Sequence, residues 1–321
     1  APYGEAYKNG LLLGLREGNK HVKLEFEDHQ YDNKKALSAV RKLSDLDKVD
    51  LIVVWGYAPS DAVAPIVSSL RPPVLLGSVN PVGRGTAKIF NLSSPISETL
   101  QPLLAYLQRK DWKSITILSS QIGSLTQTAE TLKDGLPKDV VVVDDSFLPG
   151  EMNFRSVITR MKSIGSDAVG LFLTPPQIKE FIVQARSLDY SAELFGIDTF
   201  NDKAIFELFH HQQFGPVFVD AYSDTDFSEH YRSQYKDSSH IVEAARGVLL
   251  ADLLKHVRKS VGDNPTRDDV TSALQSFPTG RGPVGPYQVV KDSDFGTYLS
   301  VGQVLYQVSS GQLQKLGKAR G

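Results

Sequence analysis

The sequence predicts an α/β protein built from two similar lobes. Strand and helix patterns alternate along most of the 321 residues, and this alternation is typical of parallel sheets covered by helices. Short continuous apolar runs such as VDLIVVW and DAVGLFL have the composition of strands buried on both faces. At roughly 100–200 residues per domain, a chain of this length is expected to form two domains.

Composition narrows the function classes. The net charge of -2 argues against nucleic acid or an anionic membrane as the main partner. The chain has no cysteine, which excludes disulfides, thiolate catalysis and cysteine-ligated metals. The longest apolar runs have strand length, so no transmembrane helix is predicted, and no signal-peptide pattern is visible in the chain.

The first half of the chain reads as βαβ units after an opening loop, APYG, and a helix from about Gly4. The segment HVKLEFED alternates apolar and charged residues and predicts a strand near a sheet edge. Asp32 is a candidate N-cap for the helix that follows it. The next elements are, in order, the strand VDLIVVW, the helix PSDAVAPIVSSL and the strand PPVLLGS.

The opening itself is unusual, because an α/β lobe normally starts with a strand that seeds its sheet. We expect such a strand upstream of Ala1, since its absence would leave open edges on a buried sheet. The alternative is a lobe that closes around a rearranged sheet.

A second α/β series follows, without a sequence repeat of the first. Its predicted elements are KSITILSSQ, LTQTAETLKDGL, DVVVVDDSF, FRSVITRMKSIG, DAVGLFL, QIKEFIVQARSL and AELFGID, strand first and then alternating with helices. The segment SSHIVEAARGVLLADLLKHVRKSV predicts a long amphipathic helix. The last stretch, from GPYQVV onward, predicts strands joined by hairpins.

Ligands of open parallel sheets bind outside the carboxyl ends of the strands, so the loops after each strand hold the candidate site residues. Ser60 lies where a helix begins after a buried strand, and its hydroxyl with nearby backbone N–H groups would suit an anion or carboxylate. The small residues Gly77 and Ser78 end the next strand and would let a ligand approach the backbone. Asp198 ends a later strand and could hold an ammonium group. The alternatives are a helix cap at Ser60 or Asp198 and a plain turn at Gly77.

Other patterns carry less chemistry. TGRGPVG matches G-x-G-x-x-G, but the prolines around it exclude the helix that a dinucleotide site needs, so it predicts a turn or hinge. Adjacent His210 and His211 would point about 100° apart on a helix and make a poor metal pair. The acidic pairs 144–145 and 268–269 are expected in loops or at helix starts. No catalytic motif is recognisable, so we expect neither an enzyme nor a metal or cofactor.

Taken together, these segments resemble the type I periplasmic solute-binding proteins, most closely the branched-chain amino acid (Leu/Ile/Val) group of ABC transporters. The resemblance runs through nearly the whole chain. It rests on the order and spacing of APYGEAYKNG, FEDHQYDNKKALSAVRKL, GYAPSDAVAPI, FIVQARSLDYSAELFGID and GPVGPYQVVKDSDFG.

The resemblance implies two doubly wound parallel-sheet lobes joined by three crossings, near residues 90–94, 219–226 and 281–287. It assigns residues 1–91 and 224–283 to the N-terminal lobe. The other lobe would combine residues 92–223 with 284–321. A ligand between the lobes would close them about this hinge.

The resemblance also implies roles for individual residues. Ser60 matches the residue that binds a ligand carboxylate, and Gly77 and Ser78 match the loop that adds backbone contacts. Asp198 matches the acid that binds an α-ammonium group, and Tyr3 matches an aromatic that covers the ligand. Thr174 and Tyr222 are further candidate ligand-binding residues.

The chain departs from the family pattern at three places. Val79 replaces a common threonine, Thr174-Pro175-Pro176 replaces an aromatic loop, and QIGSL lacks a Tyr-Gly pair. These departures leave open a larger or less polar ligand, such as an amide, an aromatic acid or a peptide-like compound.

The expected function is therefore that of a non-enzymatic, monomeric receptor that binds an amino acid or similar small molecule and delivers it to an ABC transporter permease. We expect it in the periplasm, or outside the cell tethered to the membrane, with the export or lipoprotein segment outside this chain. The alternative is a ligand-sensing or protein-regulating domain of the same fold.

Overall fold

The computed structural model describes residues 2–16, 22–78, 89–235 and 240–316. The chain divides into two compact units. The first contains residues 1–95 and 222–302, and the second contains residues 96–221 and 303–321. The chain therefore passes between the units after residues 95, 221 and 302.

Helices and strands alternate through both units, as the sequence predicts. Among the described residues the α-helices are α1 (Pro2–Arg16), α2 (Asn33–Arg41), α3 (Tyr57–Val63), α4 (Ile96–Thr99), α5 (Gln101–Leu107), α6 (Gly123–Asp134), α7 (Arg155–Ile164), α8 (Pro175–Ser187), α9 (Lys203–Glu207), α10 (Thr225–Tyr235), α11 (Ile241–Ser260) and α12 (Arg267–Gln275). The strands are β1 (Ile52–Val54), β2 (Val74–Leu76), β3 (Ile89–Asn91), β4 (Ile115–Ser120), β5 (Val141–Phe147), β6 (Ala168–Phe172), β7 (Glu193–Gly196), β8 (Val217–Ala221), β9 (Gly280–Gly282), β10 (Gly285–Asp292), β11 (Gly296–Val301), β12 (Gln303–Ser309) and β13 (Gln312–Lys315).

The first unit contains a six-stranded sheet in the order β1-β2-β3-β11-β10-β9. Strands β1, β2, β3 and β11 form a parallel series, whereas β10 is antiparallel to both of its neighbours, β11 and β9. Helix α2 packs its apolar face, which includes Ala36 and Val40, in one core with residues of β1 and β2. This burial explains why β1 and β2 are wholly apolar.

Helices α1 and α11 of the first unit approach each other at backbone distance. A Cβ added to Gly10 would lie 1.9 Å from the carbonyl oxygen of Ala244, and one added to Gly247 would lie 2.2 Å from the carbonyl oxygen of Tyr7. Both distances are far below van der Waals contact, so only glycine fits at these two positions. This close crossing holds the N-terminal turns of both helices, with Tyr7 and Glu243, in one place.

The second unit contains a seven-stranded sheet in the order β13-β12-β8-β7-β6-β4-β5. Strands β4 to β8 are parallel, and β12 and β13 add antiparallel strands beside β8. Its core combines aliphatic side chains with aromatic ones, including Phe154, Phe181 and Phe218, each 0% exposed. The central strands are buried on both faces, as their continuous apolar sequences predict.

The structure differs from two expectations about the fold. Residues 22–28 carry the alternating pattern of HVKLEFED but form no strand, because no described strand lies beside them to complete a ladder. Residues 284–302 belong to the first unit rather than the second lobe, since β10 pairs with β9 and β11 pairs with β3. The other two boundaries lie at 95/96 and 221/222 rather than 91/92 and 223/224.

The G-x-G-x-x-G match is a hairpin. Gly280–Gly282 forms β9, residues 283–284 form the turn, and β10 begins at Gly285 with a φ of +76°. This confirms the predicted turn and excludes a dinucleotide motif, since no helix follows. None of the described helices is long and apolar enough to cross a membrane.

Candidate functional site

Ser60 lies in the first turns of α3, directly behind the carboxyl end of β1. It is 0% exposed, and its hydroxyl donates a hydrogen bond to the carbonyl of Val54 at 3.1 Å. The same hydroxyl accepts the backbone N–H of Gly77 at 3.0 Å. A serine hydroxyl has a single proton, so Ser60 must release Val54 before it can donate to a ligand carboxylate.

The other two predicted residues of this edge are also engaged within the first unit. The N–H of Gly77 is shared between Ser60 and the carbonyl of Val54, which lies 3.0 Å away. The hydroxyl of Ser78 donates to Oδ1 of Asp61 at 2.5 Å. Asp61 therefore places a carboxylate next to the residues that were expected to bind a ligand carboxylate. No pattern in the sequence predicted this contact.

The structure predicts a measurable effect of Ser60→Ala even without ligand. The variant loses both hydrogen bonds of the Ser60 hydroxyl, and the Gly77 N–H keeps only its bond to the Val54 carbonyl. We therefore expect a loss of about 1–2 kcal/mol in the free energy of unfolding. Urea denaturation of the ligand-free protein measures this loss. Ser69→Ala is the matched control, because the hydroxyl of Ser69 bonds only an exposed turn carbonyl. Equal stability of both variants would contradict the buried cross-link.

Tyr3 belongs to a group of aromatic side chains in the first unit. The centroid of its ring lies 3.8 Å from that of His240. One helical turn later, the ring centroid of Tyr7 lies 6.3 Å from that of Trp55. The ring of Tyr31 meets Trp55 edge-on at 6.2 Å. We call Tyr3, Tyr7, Tyr31, Trp55 and His240 the aromatic cluster. Of this cluster, only Tyr3 was predicted from the sequence as a ligand-binding residue.

A buried carboxylate supports the aromatic cluster. Glu243, 9% exposed, accepts the indole N–H of Trp55 at Oε2, 3.2 Å away. Its Oε1 accepts a hydrogen bond from Arg246 at 2.5 Å. Desolvation raises the pKa of the Tyr7 hydroxyl, and the nearby Glu243 carboxylate raises it further. The isolated glutamate inside the apolar run IVEAARGVLL was the one sequence pattern that could have indicated this position.

In the second unit, Asp198 follows β7 and begins a short 3₁₀ turn, Asp198–Phe200. The cap of the following helix α9 is Asp202, whose side chain accepts the N–H of Ala204 at 2.8 Å. The alternative interpretation of Asp198 as the cap of that helix is therefore wrong. Asp198 is partly exposed and lies at the carboxyl end of the sheet.

Asp220 is a second acid at this end of the sheet, and sequence analysis missed it. It is 4% exposed within β8, accepts the N–H of Ala221 at 2.6 Å and accepts the side-chain amide of Asn201 at 2.9 Å. Asn201 ends the 3₁₀ turn that Asp198 begins, so this bond anchors the turn to β8. A single aspartate inside the run PVFVDAY resembles any strand-end residue, which is why it carried no prediction.

Thr174 and Tyr222 have structural partners of their own. Thr174 is the N-cap of α8, and its hydroxyl and backbone N–H both donate to Oε1 of Gln177. Tyr222 packs at Gly285, where an added Cβ would lie 3.0 Å from its ring, and the Arg281 guanidinium lies 5.7 Å from the ring centroid. Their predicted ligand contacts stay predictions. Val79 lies outside the described residues.

The acidic pairs and the histidines, which were the weaker candidates, form no site in the described residues. Asp144 and Asp145 pair with Lys133 and Arg160, and Asp269 closes a capping box at the start of α12. The helix-start expectation is confirmed for 268–269, which lie in the first turn of α12. It is wrong for 144–145, which lie within β5, where the charges are paired on a strand. Within the described residues, no group of three or more histidine or acidic side chains is placed to hold a metal ion.

Polar side chains lie at the carboxyl ends of strands in both units, and aromatic side chains join them in the first unit. Parallel α/β sheets bind their ligands at this end of the strands. Comparison with protein families shows to which family the chain belongs. The model of the periplasmic binding protein family matches residues 1–305, and the chain therefore belongs to that family. A comparison with curated proteins gave no significant match.

Solved structures agree with this assignment. The chain is similar to a leucine binding protein from Thermotoga maritima MSB8, with 17% identity, a TM-score of 0.84 and coverage of 98% of this chain and 93% of that one. It is also similar to an isoleucine complex of a branched-chain amino acid transporter substrate binding protein from Streptococcus pneumoniae, with 18% identity, a TM-score of 0.79 and coverage of 98% and 94%. A solute binding protein of an ABC transporter from R. palustris, solved with benzoate, has 18% identity, a TM-score of 0.80 and coverage of 99% and 92%. The type I periplasmic binding protein fold predicted from the motifs is confirmed.

Proposed function

We propose that this protein is a monomeric, extracytoplasmic receptor that binds a small solute and delivers it to the permease of an ABC importer. The solute is an amino acid or a related zwitterion or amide. Family membership supports a binding role. Similar structures include complexes with isoleucine and benzoate, both of which carry a carboxylate.

The observation that carries the ammonium part of this proposal is the position of Asp198. Its carboxylate stands at the carboxyl end of β7, and the cap of the next helix is supplied by Asp202 instead. Asp220 and Asn201 hold the turn that carries it. An acid placed this way attracts an ammonium group, and the attraction strengthens as a bound ligand excludes water.

The carboxylate part of the proposal involves the first unit. Ser60 and Ser78 offer hydroxyls at the ends of β1 and β2, and Gly77 lies between them. Their protons now bond Val54 and Asp61. Binding a carboxylate there requires that Ser60 exchange its Val54 bond for a bond to the ligand. This exchange replaces a neutral acceptor with a charged one, which strengthens the hydrogen bond.

A thermal-shift screen tests this proposal. The probes are the standard amino acids, their amides, benzoate and small dicarboxylates, each added to the purified protein after refolding to remove any carried ligand. A ligand at 100 times its dissociation constant adds about 2.7 kcal/mol to the free energy of unfolding, which raises the melting temperature measurably. A screen without any stabilising compound would overturn the proposed function.

A further inference from the structure

We propose that Trp55 is a stacking platform for the ligand and that Glu243 is the positioning residue that holds its ring. The ligand accordingly carries a planar conjugated group, as an aromatic amino acid or an aromatic carboxylate does. This inference rests on the proposed function; it narrows the amino acids to aromatic ones and adds aromatic carboxylates to the ligand classes.

The position of Trp55 is the first argument. It directly follows β1, at the end of the sheet where ligands of parallel α/β proteins bind. Its ring is only partly buried, although an indole of this size contributes most when a second apolar surface covers it. The ring of Tyr7 is tilted by 48° to the indole, and the ring of Tyr31 is T-shaped to it at 71°, with centroids 6.3 and 6.2 Å away.

The second argument is that both the side chain and the backbone of Trp55 are held by hydrogen bonds. The indole N–H donates to Glu243 of α11, 188 positions later in the chain. The backbone carbonyl of Trp55 accepts a hydrogen bond from Nε2 of His29 at 3.1 Å. A ring fixed in this way loses little conformational entropy when a ligand stacks on it, so stacking adds more to affinity.

The third argument concerns Glu243 itself. A buried carboxylate is costly unless its oxygens are paired, and this one pairs one oxygen with Trp55 and the other with Arg246. The close crossing of α1 and α11 brings this carboxylate beside Tyr7. The arrangement orients an aromatic side chain that core packing alone does not enclose.

The fourth argument is the state of the hydroxyls at the same edge. Ser60 and Ser78 already bond Val54 and Asp61. The surface that the first unit offers to a ligand is thus more aromatic than polar. Such a surface distinguishes ligands by their planar faces, because offset stacking depends on ring geometry as well as on buried area.

The experiment uses Trp112→Phe as background, which leaves Trp55 as the single tryptophan of the chain. Fluorescence titration and thermal shift are recorded with benzoate, L-phenylalanine and L-leucine. We expect the two aromatic probes to bind more tightly than L-leucine and to change the Trp55 emission. In Trp55→Leu, affinity for the aromatic probes falls about tenfold, and the preference over L-leucine disappears.

Variants of Glu243 test the positioning role. Glu243→Gln retains an acceptor for the indole N–H and is expected to keep aromatic affinity within about threefold. Glu243→Leu loses the acceptor, shifts the emission of Trp55 to longer wavelength and weakens aromatic binding about tenfold. Asp252→Asn is the matched control, because Asp252 forms a similar i,i+3 pair with Lys255 farther along α11.

The outcomes separate this inference from the proposed function. Binding of L-leucine alone, or aromatic affinity unchanged in Trp55→Leu, overturns the inference while the proposed function stands. Equal loss of aromatic affinity in the Gln and Leu variants of Glu243 overturns its positioning role. Failure of every compound in the wider screen overturns the proposed function and this inference together.

Discussion

Replacing Gly247 with alanine is expected to lower the free energy of unfolding by about 3 kcal/mol. The new methyl group would lie 2.2 Å from the carbonyl oxygen of Tyr7 and 2.7 Å from the backbone nitrogen of Leu11. Neither backbone atom can move without shifting all of α1, and overpacking of this kind costs about 1–3 kcal/mol or more. Thermal or urea unfolding followed by circular dichroism measures the change.

The sign of this effect separates packing from helix propensity. In an exposed helix interior the same substitution stabilises by about 1 kcal/mol. Gly123→Ala in the first turn of α6 is the matched control, because nothing lies within 4 Å of an added Cβ there. We expect this control to be neutral or slightly stabilising. A Gly247→Ala protein as stable as the control would show that the two helices do not cross at backbone distance.

Asp198→Ala is expected to weaken binding of a zwitterionic ligand by two to three orders of magnitude. Removing one partner of a desolvated ion pair costs about 3–5 kcal/mol, because the remaining charge stays buried without compensation. Isothermal titration with the most stabilising amino acid from the thermal-shift screen measures the loss. The corresponding ligand without its amino group should bind the variant and the parent protein with similar affinity.

Asp202→Ala provides the control for this prediction. Asp202 lies four residues away and caps α9, so its loss should lower stability by about 1 kcal/mol without changing ligand affinity. If Asp198→Ala binds the ligand as well as Asp202→Ala does, the carboxylate of Asp198 is not part of the site.

The sequence was informative about the fold wherever burial alone decides structure. The runs around Ile52–Val54 and Ala168–Phe172 are apolar because both faces of these strands are covered, so composition identifies them directly. The alternation of residues 22–28 misled, because it reports one apolar face and not the presence of a neighbouring strand. Hairpin patterns identified β10 and β11 but not their sheet, since pairing with β3 depends on residues some 200 positions away.

The candidate site was predictable in location but not in chemistry. The rule that ligands bind in the loops after the carboxyl ends of parallel strands led to Ser60 and Asp198, and both residues do lie at such strand ends. What such residues can bind depends on their hydrogen-bond partners, and the three-dimensional fold, not the local sequence, determines those partners. The Val54 bond of Ser60 and the Glu243 bond of Trp55 join residues whose relation no local pattern reveals.

The interleaved chain path has a consequence for how the protein acquires its structure. In the first unit, α1 packs on α11, and β3 pairs with β11 from the end of the sequence. In the second unit, β8 pairs with β12, which follows the last crossing. Neither unit can be completed until nearly the whole chain has been synthesised. Many native contacts thus join distant positions, and such topologies fold slowly. We therefore expect both units to complete their folding late, after β11 and β12 have been synthesised.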